Sequence, residues 1–211
     1  MVKTTRTAVL VSGGGTNLQV LIDAKERGEL TRTALVGVVS SSPDAYALTR
    51  ARDAGIPTYI VDRAQFDDRE TFTDALTETI LKLNAELIVE AGFLYVTAPR
   101  FLDEFAGRVI NIHPALLPSF GGEGCYGIHV HEKALEYGVK ITGATAHYVT
   151  QDTDTGPIIL QKAIDVLPDD TPESLQNRVM QECEWIILPK AVDLFCKGKL
   201  TLDGRIVTIG N

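Results

Sequence analysis

Thr7-Ala-Val-Leu-Val11 begins the stretch of sequence that decides the fold class. It is followed by Ser12-Gly-Gly-Gly-Thr16-Asn17 and then by the amphipathic run Asn17 to Arg27. The first run is short and aliphatic, which predicts a strand. In the third run apolar residues recur from Leu18 at i, i+3 and i+4, which predicts a helix with one apolar face. The glycines between them allow a tight turn and leave backbone N–H groups at the helix N-terminus, where an anion binds. This order predicts an α/β unit with a phosphate cradle.

The same alternation of strands and helices continues along the chain. Further strands are predicted at 34–39, 58–61, 87–91, 109–112, 141–150 and 157–166, and further helices at 44–54, 67–83, 101–105, 130–137 and 171–196. The short joint between the last two strands predicts an antiparallel hairpin at the sheet edge, and Pro189 is expected to kink the long last helix. The fold class is therefore α/β, with a Rossmann-like, mainly parallel twisted sheet, helices on both faces and an antiparallel C-terminal edge.

Composition and charge restrict the partners of the chain. Its 211 residues are 45% hydrophobic and carry a net charge of −8, so long-range electrostatics repel a nucleic-acid backbone. No apolar run approaches the roughly 18 residues that span a bilayer, and no signal region follows Met1, so we expect a cytoplasmic protein without a membrane partner. The three cysteines are widely spaced, which indicates neither a disulfide framework nor a zinc site. We expect a monomer or homodimer that binds small molecules.

The glycine loop has the features of a site for a single phosphate. It lacks the lysine of a Walker A loop and the Gly-x-Gly-x-x-Gly spacing of dinucleotide sites, so a lone monophosphate fits better than either nucleotide. Its candidate ligands are the backbone N–H groups from Gly13 to Asn17. A turn that uses glycine only to reverse the chain is the alternative interpretation.

Asn111-Ile-His113-Pro-Ala-Leu-Leu-Pro118 is the most specific motif in the chain. Asn111 and His113 lie two positions apart at a strand end, so their side chains can lean the same way. When a nitrogen attacks a carbonyl carbon, negative charge develops on the oxygen, and one donor aimed there stabilises it by on the order of 3 kcal/mol. The motif therefore indicates catalysis at a carbonyl carbon. For His113 taken alone, a packed histidine bonded to backbone is the alternative.

Asp154, in Asp152-Thr-Asp154-Thr-Gly-Pro157, is the candidate third member of this group. A carboxylate near His113 favours the imidazolium and so supplies the charge that an oxyanion needs. The same run is also typical of a turn held by side-chain-to-backbone bonds, and both interpretations stay open.

The remaining polar candidates are assigned no catalytic role. His129, His131 and His147 lack a third ligand with the spacing of a metal site, so structural or loop-ordering roles and no metal are expected. Cys125 has no activating base in its local sequence, which argues against a nucleophilic role.

Five motifs agree in order and spacing with a known family. They are Val11-Ser-Gly-Gly-Gly-Thr-Asn-Leu-Gln19, Ala91-Gly-Phe93, Asn111-Ile-His-Pro-Ala-Leu-Leu-Pro118, Gly143-Ala-Thr-Ala-His147 and Asp154-Thr-Gly-Pro-Ile-Ile-Leu-Gln161. In these motifs the chain resembles, along essentially its whole length, the glycinamide ribonucleotide (phosphoribosylglycinamide) formyltransferases of the 10-formyltetrahydrofolate-dependent formyltransferase family. The resemblance implies transfer of a formyl group from 10-formyltetrahydrofolate to the amino group of glycinamide ribonucleotide, through a tetrahedral intermediate, in de novo purine synthesis.

The resemblance also implies roles for individual residues. Asn111 bonds the formyl oxygen, His113 as imidazolium stabilises the oxyanion, and Asp154 holds that charge and helps to relay protons. The ribonucleotide is bound by Gly14, Gly15, Thr16, Asn17 and Glu184, the last at the ribose hydroxyls. The folate is bound by Arg69, Phe93, Leu94, Tyr95, Val96, Thr97, Gln151 and Asp152. One formyltransferase domain, 1–211, is expected, with a phosphate-binding half of about 1–100 and a catalytic and folate-binding half of about 101–211.

The chain departs from the family pattern at two places. Gly92-Phe-Leu-Tyr95 stands where many members carry Gly-Phe-Met-Arg, so an ion pair from that arginine to the folate tail is lost. Gly121-Gly-Glu-Gly-Cys-Tyr-Gly127 is longer than the corresponding loop, and either closes over the site or is a surface insertion.

Three other functions compete with this one. Formyltetrahydrofolate deformylase and methionyl-tRNA formyltransferase share the catalytic core, but we expect their extra domains to be absent because the first strand starts close to Met1 and the chain ends at Asn211. The acidic charge also disfavours a tRNA partner. A non-catalytic phosphosugar-binding module would keep the glycine loop without a reason to combine an amide, an imidazole and a carboxylate.

Overall fold

Buried parallel strands form the centre of the first half of the chain. The computed structural model describes residues 3–210, in two units that divide between Ile110 and Asn111. In the first unit β1 (Thr5–Val11) pairs in parallel with β2 (Thr33–Ser40) and β4 (Leu87–Glu90), and β2 pairs in parallel with β3 (Thr58–Ile60). The order β3-β2-β1-β4 makes β1 an interior strand, and its residues from Ala8 to Val11 are fully buried.

Helices alternate with these strands as the sequence pattern predicts. They are α1 (Thr16–Glu26), α2 (Ala47–Asp53), α3 (Arg69–Lys82) and α4 (Pro99–Glu104), with a short 3-10 turn at Arg63–Gln65. The predicted apolar face of α1 is confirmed, since Leu18, Leu21 and Ile22 are buried. Gly28 lies just after this helix with a left-handed φ of 75°, and its N–H donates to the Lys25 carbonyl, so a glycine closes the C-terminal end of α1.

The second unit contains the predicted antiparallel hairpin. It has the strand order β5-β6-β7-β9-β8, beginning with the end of β5 (Val109–His113), and α5 (Ile128–Tyr137) follows β5 in the chain. β6 (Ile141–Tyr148) and β7 (Ile158–Asp165) pair antiparallel, which confirms the hairpin. Its placement at the sheet edge is wrong, because β9 (Ile206–Ile209) pairs with β7, and β8 (Leu200–Asp203) pairs antiparallel with β9.

The long C-terminal helix is interrupted, although not where the sequence suggested. α6 (Pro172–Val179) is capped at its N-terminus by Thr171, and α7 (Trp185–Cys196) runs through Pro189. A π-helical turn, Met180–Glu184, lies between them. Pro189 has no N–H to donate to the Trp185 carbonyl one turn earlier, so the helical ladder is weakened where the π-helical turn ends. No helix among residues 3–210 is long and apolar enough to cross a membrane.

Candidate active site

The glycine loop of the first unit is held by α2. The Ala47 N–H donates to the Gly13 carbonyl at 3.0 Å, and the Arg50 Nε donates to the Gly14 carbonyl at 2.9 Å. Because a trans peptide directs its C=O and N–H to opposite sides, the N–H groups of Gly14 and Gly15 point away from these α2 donors. Gly15 has a φ of 71°, and a Cβ there would collide with Ala47, so only glycine fits this position.

Arg50, on α2, contacts this loop and was not predicted from the sequence. Besides Gly14, its guanidinium donates to Gln19 Oε1 at 3.0 Å and lies 5.0 Å from the centre of the Tyr46 ring. Arg50 is far from the loop in sequence, and no local pattern indicates the contact. The other predicted phosphate ligands, Thr16 and Asn17, are the first two residues of α1, and Asn17 is buried.

Two predicted folate residues of the first unit, Phe93 and Tyr95, form an aromatic cluster with Phe72. The Phe72 ring lies 6.4 Å from the ring of Phe93 and 5.8 Å from that of Tyr95, and the last two rings lie 6.1 Å apart. Tyr95 therefore contributes an aromatic surface to this cluster. Arg69 does not join the cluster: it is exposed at the start of α3, with Glu70 at 3.4 Å.

The segment from Phe93 to Thr97 is joined by one hydrogen bond to Ser12, which precedes the glycine loop. The Leu94 N–H donates to Ser12 Oγ at 3.0 Å. Leu94 and Val96 are exposed apolar side chains, whereas Thr97 is buried. An exposed apolar segment tied to a polar loop suits a ligand with a flat apolar part.

In the second unit, His113 lies between two oxygen acceptors. Its Nε2 is 2.8 Å from the Phe120 carbonyl oxygen, and its Nδ1 is 3.4 Å from Asp154 Oδ2. A carbonyl and a carboxylate only accept hydrogen bonds, so both contacts are satisfied only when each ring nitrogen carries a proton. The surroundings of this buried ring therefore suit the imidazolium.

Asn111 reaches this group through His147. Asn111 Nδ2 lies 3.3 Å from His147 Nε2, which in turn lies 3.7 Å from Asp154 Oδ1. The other ring nitrogen, Nδ1, is 2.9 Å from the Tyr148 carbonyl oxygen. Burial lowers the pKa of His147, while the Tyr148 carbonyl and the Asp154 carboxylate act to raise it. Asp154 thus lies beside two histidines, His113 and His147, and Asn111 contacts His147, which was assigned only a structural or loop-ordering role.

The loop after β5, which contains the Gly121–Gly127 run, contacts this group directly. Phe120, whose carbonyl accepts from His113, has a left-handed φ of 52°, which is strained for a bulky side chain. The Gly122 N–H donates to Asp154 Oδ2 at 2.9 Å. At Gly121 a Cβ would displace the end of the Leu117 side chain and press against Asp154, so the loop approaches Asp154 closely here. The loop is therefore more than a surface insertion.

The three cysteines differ in their surroundings. Cys183 and Cys196 are buried, and burial raises the pKa of the Cys183 thiol to about 11, which keeps it protonated. Cys125 is only partly buried, and its Sγ lies 3.2 Å from Lys133 Nζ. Lys133 is a cationic neighbour that the local sequence of Cys125 did not indicate.

The other predicted site residues occupy two places in the second unit. Glu184 is buried and is the last residue of the π-helical turn, a distortion that is frequent at functional sites. Gln151 and Asp152 are exposed in the turn between β6 and β7. Thr155 donates to the Asp152 carbonyl through its N–H and its hydroxyl, so this turn is held by local bonds. The two interpretations of the Asp152–Pro157 run are therefore compatible.

His131 is the one further histidine that is fully buried. Among the described residues neither of its ring nitrogens has a hydrogen-bond partner. Burial, followed by the nearby charge of His113, lowers the pKa of His131 to about 4. Within residues 3–210, no three His, Cys, Asp or Glu side chains are grouped so that they could hold a metal ion.

These features define an α/β enzyme in which an amide, an imidazole and a carboxylate meet at the end of β5 and in the β6–β7 turn. The formyl transferase family model matches residues 5–192. The chain belongs to the formyl transferase family.

Relatives and solved structures agree with this assignment. The chain is 36% identical over 199 residues to the phosphoribosylglycinamide formyltransferase of Haemophilus influenzae, which covers 94% of this chain and 91% of the relative. The crystal structure of glycinamide ribonucleotide transformylase 1 from Symbiobacterium toebii matches with a TM-score of 0.92 and 40% identity, covering 99% of this chain and 95% of that one. The predicted fold class, a mainly parallel α/β sheet with antiparallel C-terminal strands, is confirmed.

Two further similarities concern proteins of different organisation. The chain is 40% identical over 202 residues to the trifunctional purine biosynthetic protein adenosine-3 of Drosophila melanogaster, but it spans only 14% of that protein's length. A formyltetrahydrofolate deformylase from Pseudomonas syringae matches with a TM-score of 0.88 and 25% identity, covering 99% of this chain and 67% of that one. The deformylase is the less similar of the two candidate enzymes.

We predict that His131 makes the protein less stable as the pH falls. Its pKa is about 4 in the folded protein, against an ordinary value of 6.5, so between these values the unfolded chain binds a proton that the folded one does not. The free energy of unfolding should therefore fall with pH in this window, by at most about 1.4 kcal/mol per pH unit from this residue. Urea unfolding at several pH values measures the slope.

Two substitutions at His131 distinguish the effect of its titration on stability from the effect of its packing. His131→Leu and His131→Gln change the packing differently, yet neither side chain titrates. Both variants should show the same, smaller slope between pH 6.5 and 4. A slope equal to that of the unmodified protein in both variants would contradict the prediction.

Proposed function

We propose that this chain is a phosphoribosylglycinamide formyltransferase. It transfers the formyl group of 10-formyltetrahydrofolate, as co-substrate, to the amino group of glycinamide ribonucleotide in de novo purine synthesis. The observation that carries the proposal is the His113 ring held between two oxygen acceptors in a chain of the formyl transferase family. Full-length relatives that bear this enzyme's name support it. A cytoplasmic location is part of the same proposal.

The catalytic step follows from the groups around His113. The substrate amine attacks the formyl carbon, a C–N bond forms, and the carbonyl oxygen becomes an oxyanion. The Asn111 amide and the His113 imidazolium donate to that oxygen, and Asp154 keeps the positive charge on His113. Collapse of the tetrahedral intermediate breaks the bond to the folate nitrogen, which takes up the proton lost by the amine. Asp154 assists this transfer, and no covalent enzyme adduct forms.

Before substrate binds, the Phe120 carbonyl accepts the hydrogen bond from His113 Nε2. The formyl oxygen then replaces this carbonyl as the acceptor. The contact is 2.8 Å long, and one N–H cannot serve two acceptors equally well. The loop therefore has to give up this bond when substrate arrives. The left-handed φ of Phe120 reduces the cost of that movement, because the strained conformation is released at the same time.

Binding is assigned to residues of both units. The N–H groups of Gly14, Gly15, Thr16 and Asn17 bind the phosphate, which the orientation of the loop peptides supports. Glu184 binds the ribose hydroxyls. The folate is bound by Arg69, Phe93, Leu94, Tyr95, Val96, Thr97, Gln151 and Asp152. These assignments divide phosphate binding and catalysis between the expected N-terminal and C-terminal halves of one formyltransferase domain.

A direct assay tests the proposed function against its nearest alternative. Purified protein is incubated with 10-formyltetrahydrofolate, with and without glycinamide ribonucleotide, while formylated product and formate are measured. We expect formylated product only when the amine substrate is present. Formate release at the same rate without the amine would instead identify a deformylase, in which water is the nucleophile. No turnover in either case would exclude both enzymes and favour a binding module.

We predict that His113→Ala and Asp154→Asn lower kcat by orders of magnitude and leave ribonucleotide binding nearly unchanged. The lost interactions act mainly in the transition state, so they affect turnover and not ground-state affinity. Steady-state kinetics and calorimetric titration with glycinamide ribonucleotide measure the two effects. His129→Gln and Asp169→Asn replace exposed residues of the same types and serve as matched controls. Equal losses of binding and rate would contradict the catalytic assignment.

Arg50→Met should raise KM for glycinamide ribonucleotide roughly tenfold, the effect of losing about 1.4 kcal/mol of binding, with little change in kcat. The guanidinium orients the Gly14 peptide and places a positive charge at the loop, and both effects act on ground-state binding. Arg52→Met, an exposed position on the same helix, is the control. A fall in kcat without a rise in KM would contradict this role.

A further inference from the structure

We propose that His147 is a positioning residue, because its neutral ring, protonated on Nδ1, determines which end of the Asn111 side-chain amide faces the reacting oxygen. The inference rests on the proposed function and extends it to a residue that none of the sequence motifs marked as catalytic. It is carried by three contacts of one buried ring, with Tyr148, Asn111 and Asp154.

The first contact identifies the tautomer of His147. Nδ1 lies 2.9 Å from the Tyr148 backbone carbonyl oxygen, which can only accept a hydrogen bond. Nδ1 therefore carries a proton. A neutral imidazole has only one such proton, so Nε2 presents a lone pair.

The second contact fixes the amide of Asn111. The two ends of an asparagine amide have nearly the same shape, so packing alone selects neither orientation. Against the lone pair of His147 Nε2, the NH₂ end forms a hydrogen bond, whereas the oxygen end would face another acceptor. The observed distance from Nδ2 to Nε2 is 3.3 Å. One N–H of Asn111 bonds His147, and the second N–H is then available to donate to the formyl oxygen.

The third contact, with Asp154, acts to raise the pKa of His147, and burial of the ring outweighs it. The charged groups that act on it are Asp154, whose Oδ1 lies 3.7 Å from Nε2, and His113. Asp154 Oδ2 already faces the His113 Nδ1, and one carboxylate neutralises one imidazolium. A second cation beside His113 would be repelled by it. Burial is the largest cause that lowers the pKa of His147, and the charge of His113 acts in the same direction, so the His147 ring stays neutral.

Protonation of His147 would reverse this arrangement. A proton on Nε2 turns that nitrogen into a donor, and the Asn111 amide has to present its oxygen to it. The amide then has no N–H aimed at the reacting oxygen. Acid should therefore remove the Asn111 contribution to the transition state before the fold is lost, and the effect should appear in kcat.

A measurement on the unmodified protein tests the tautomer without any activity. Long-range proton–nitrogen correlation spectra distinguish the two neutral forms of a histidine ring and the imidazolium. At neutral pH we expect His147 to be neutral with its proton on Nδ1. A proton on Nε2, or an imidazolium, would overturn the proposal even if the enzyme is fully active with glycinamide ribonucleotide.

Kinetic coupling between His147 and Asn111 tests the positioning role. His147→Leu should lower kcat by roughly 10-fold to 100-fold with little change in KM, because the donor is no longer held. In an Asn111→Ala background the same substitution should have almost no further effect on kcat. An equal loss in both backgrounds would mean that His147 acts only through general packing, and would overturn the proposal.

A conservative variant separates two properties of His147, its ability to accept a hydrogen bond from Asn111 and its ability to gain a proton. In His147→Gln the side-chain oxygen can accept from Asn111 but cannot gain a proton, so part of the kcat lost in His147→Leu should return. Its kcat should also persist to lower pH than that of the unmodified enzyme. An unchanged acid limb in this variant would contradict the assignment. Thermal unfolding of each variant shows whether it is folded, and an inactive unmodified enzyme would count against the proposed function instead.

Discussion

The Asp154 carboxylate, which is largely shielded from solvent, organises the polar centre of the second unit. Its Oδ2 accepts the Gly122 N–H and faces His113, while its Oδ1 faces His147. Burying a carboxylate is costly unless nearby donors or cations stabilise it, and a single carboxylate stabilises only one adjacent imidazolium well. The two histidines therefore cannot behave alike. The Nε2 of His113 contacts the Phe120 carbonyl, which accepts hydrogen bonds, whereas the Nε2 of His147 contacts the NH₂ group of Asn111, which donates them.

The backbone holds this charge in place. Asp154 has a left-handed φ of 56°, which aspartate tolerates better than most residues. Two residues later Gly156 lies so close to the Tyr148 carbonyl that a Cβ could not be accommodated. Gly121 approaches Asp154 closely from the loop after β5. The position of the carboxylate is thus set by a turn in which glycine is required, and the hairpin of β6 and β7 provides the frame for it.

Local patterns were sufficient to predict the elements but not the contacts between distant residues. Alternation and helical spacing predicted the parallel strands, α1 and the β6–β7 hairpin, because each depends on a short window of sequence. β8 and β9 were missed because most of their residues are exposed, Ile206 among them, so no buried alternation marks them. Pro189 predicted an interruption of the last helix, yet the π-helical turn lies before it, at a position that tertiary packing selects.

The same limit applies to the candidate site. The sequence singled out Asn111, His113 and Asp154 by chemical type, and their catalytic roles remain a prediction. It assigned His147 a structural role because the contact with Asn111 joins residues 36 positions apart. Arg50 is 36 positions from Gly14, and no motif connects them. Residues that act through another residue carry no chemical signature of their own, so they become visible only when distances are known.

The proposed function also requires an acidic protein to bind an anionic substrate. With a net charge of −8, the chain as a whole repels a phosphate, so any attraction has to come from groups within a few ångströms. Backbone N–H groups at the start of α1 meet this need without a flexible lysine, and Arg50 fixes the peptides that carry them. Because the donors are rigid, the phosphate would be positioned as well as bound. Reactions that depend on the approach of an amine to one carbon gain most from such positioning, since a small displacement of the reacting atoms lowers the rate strongly.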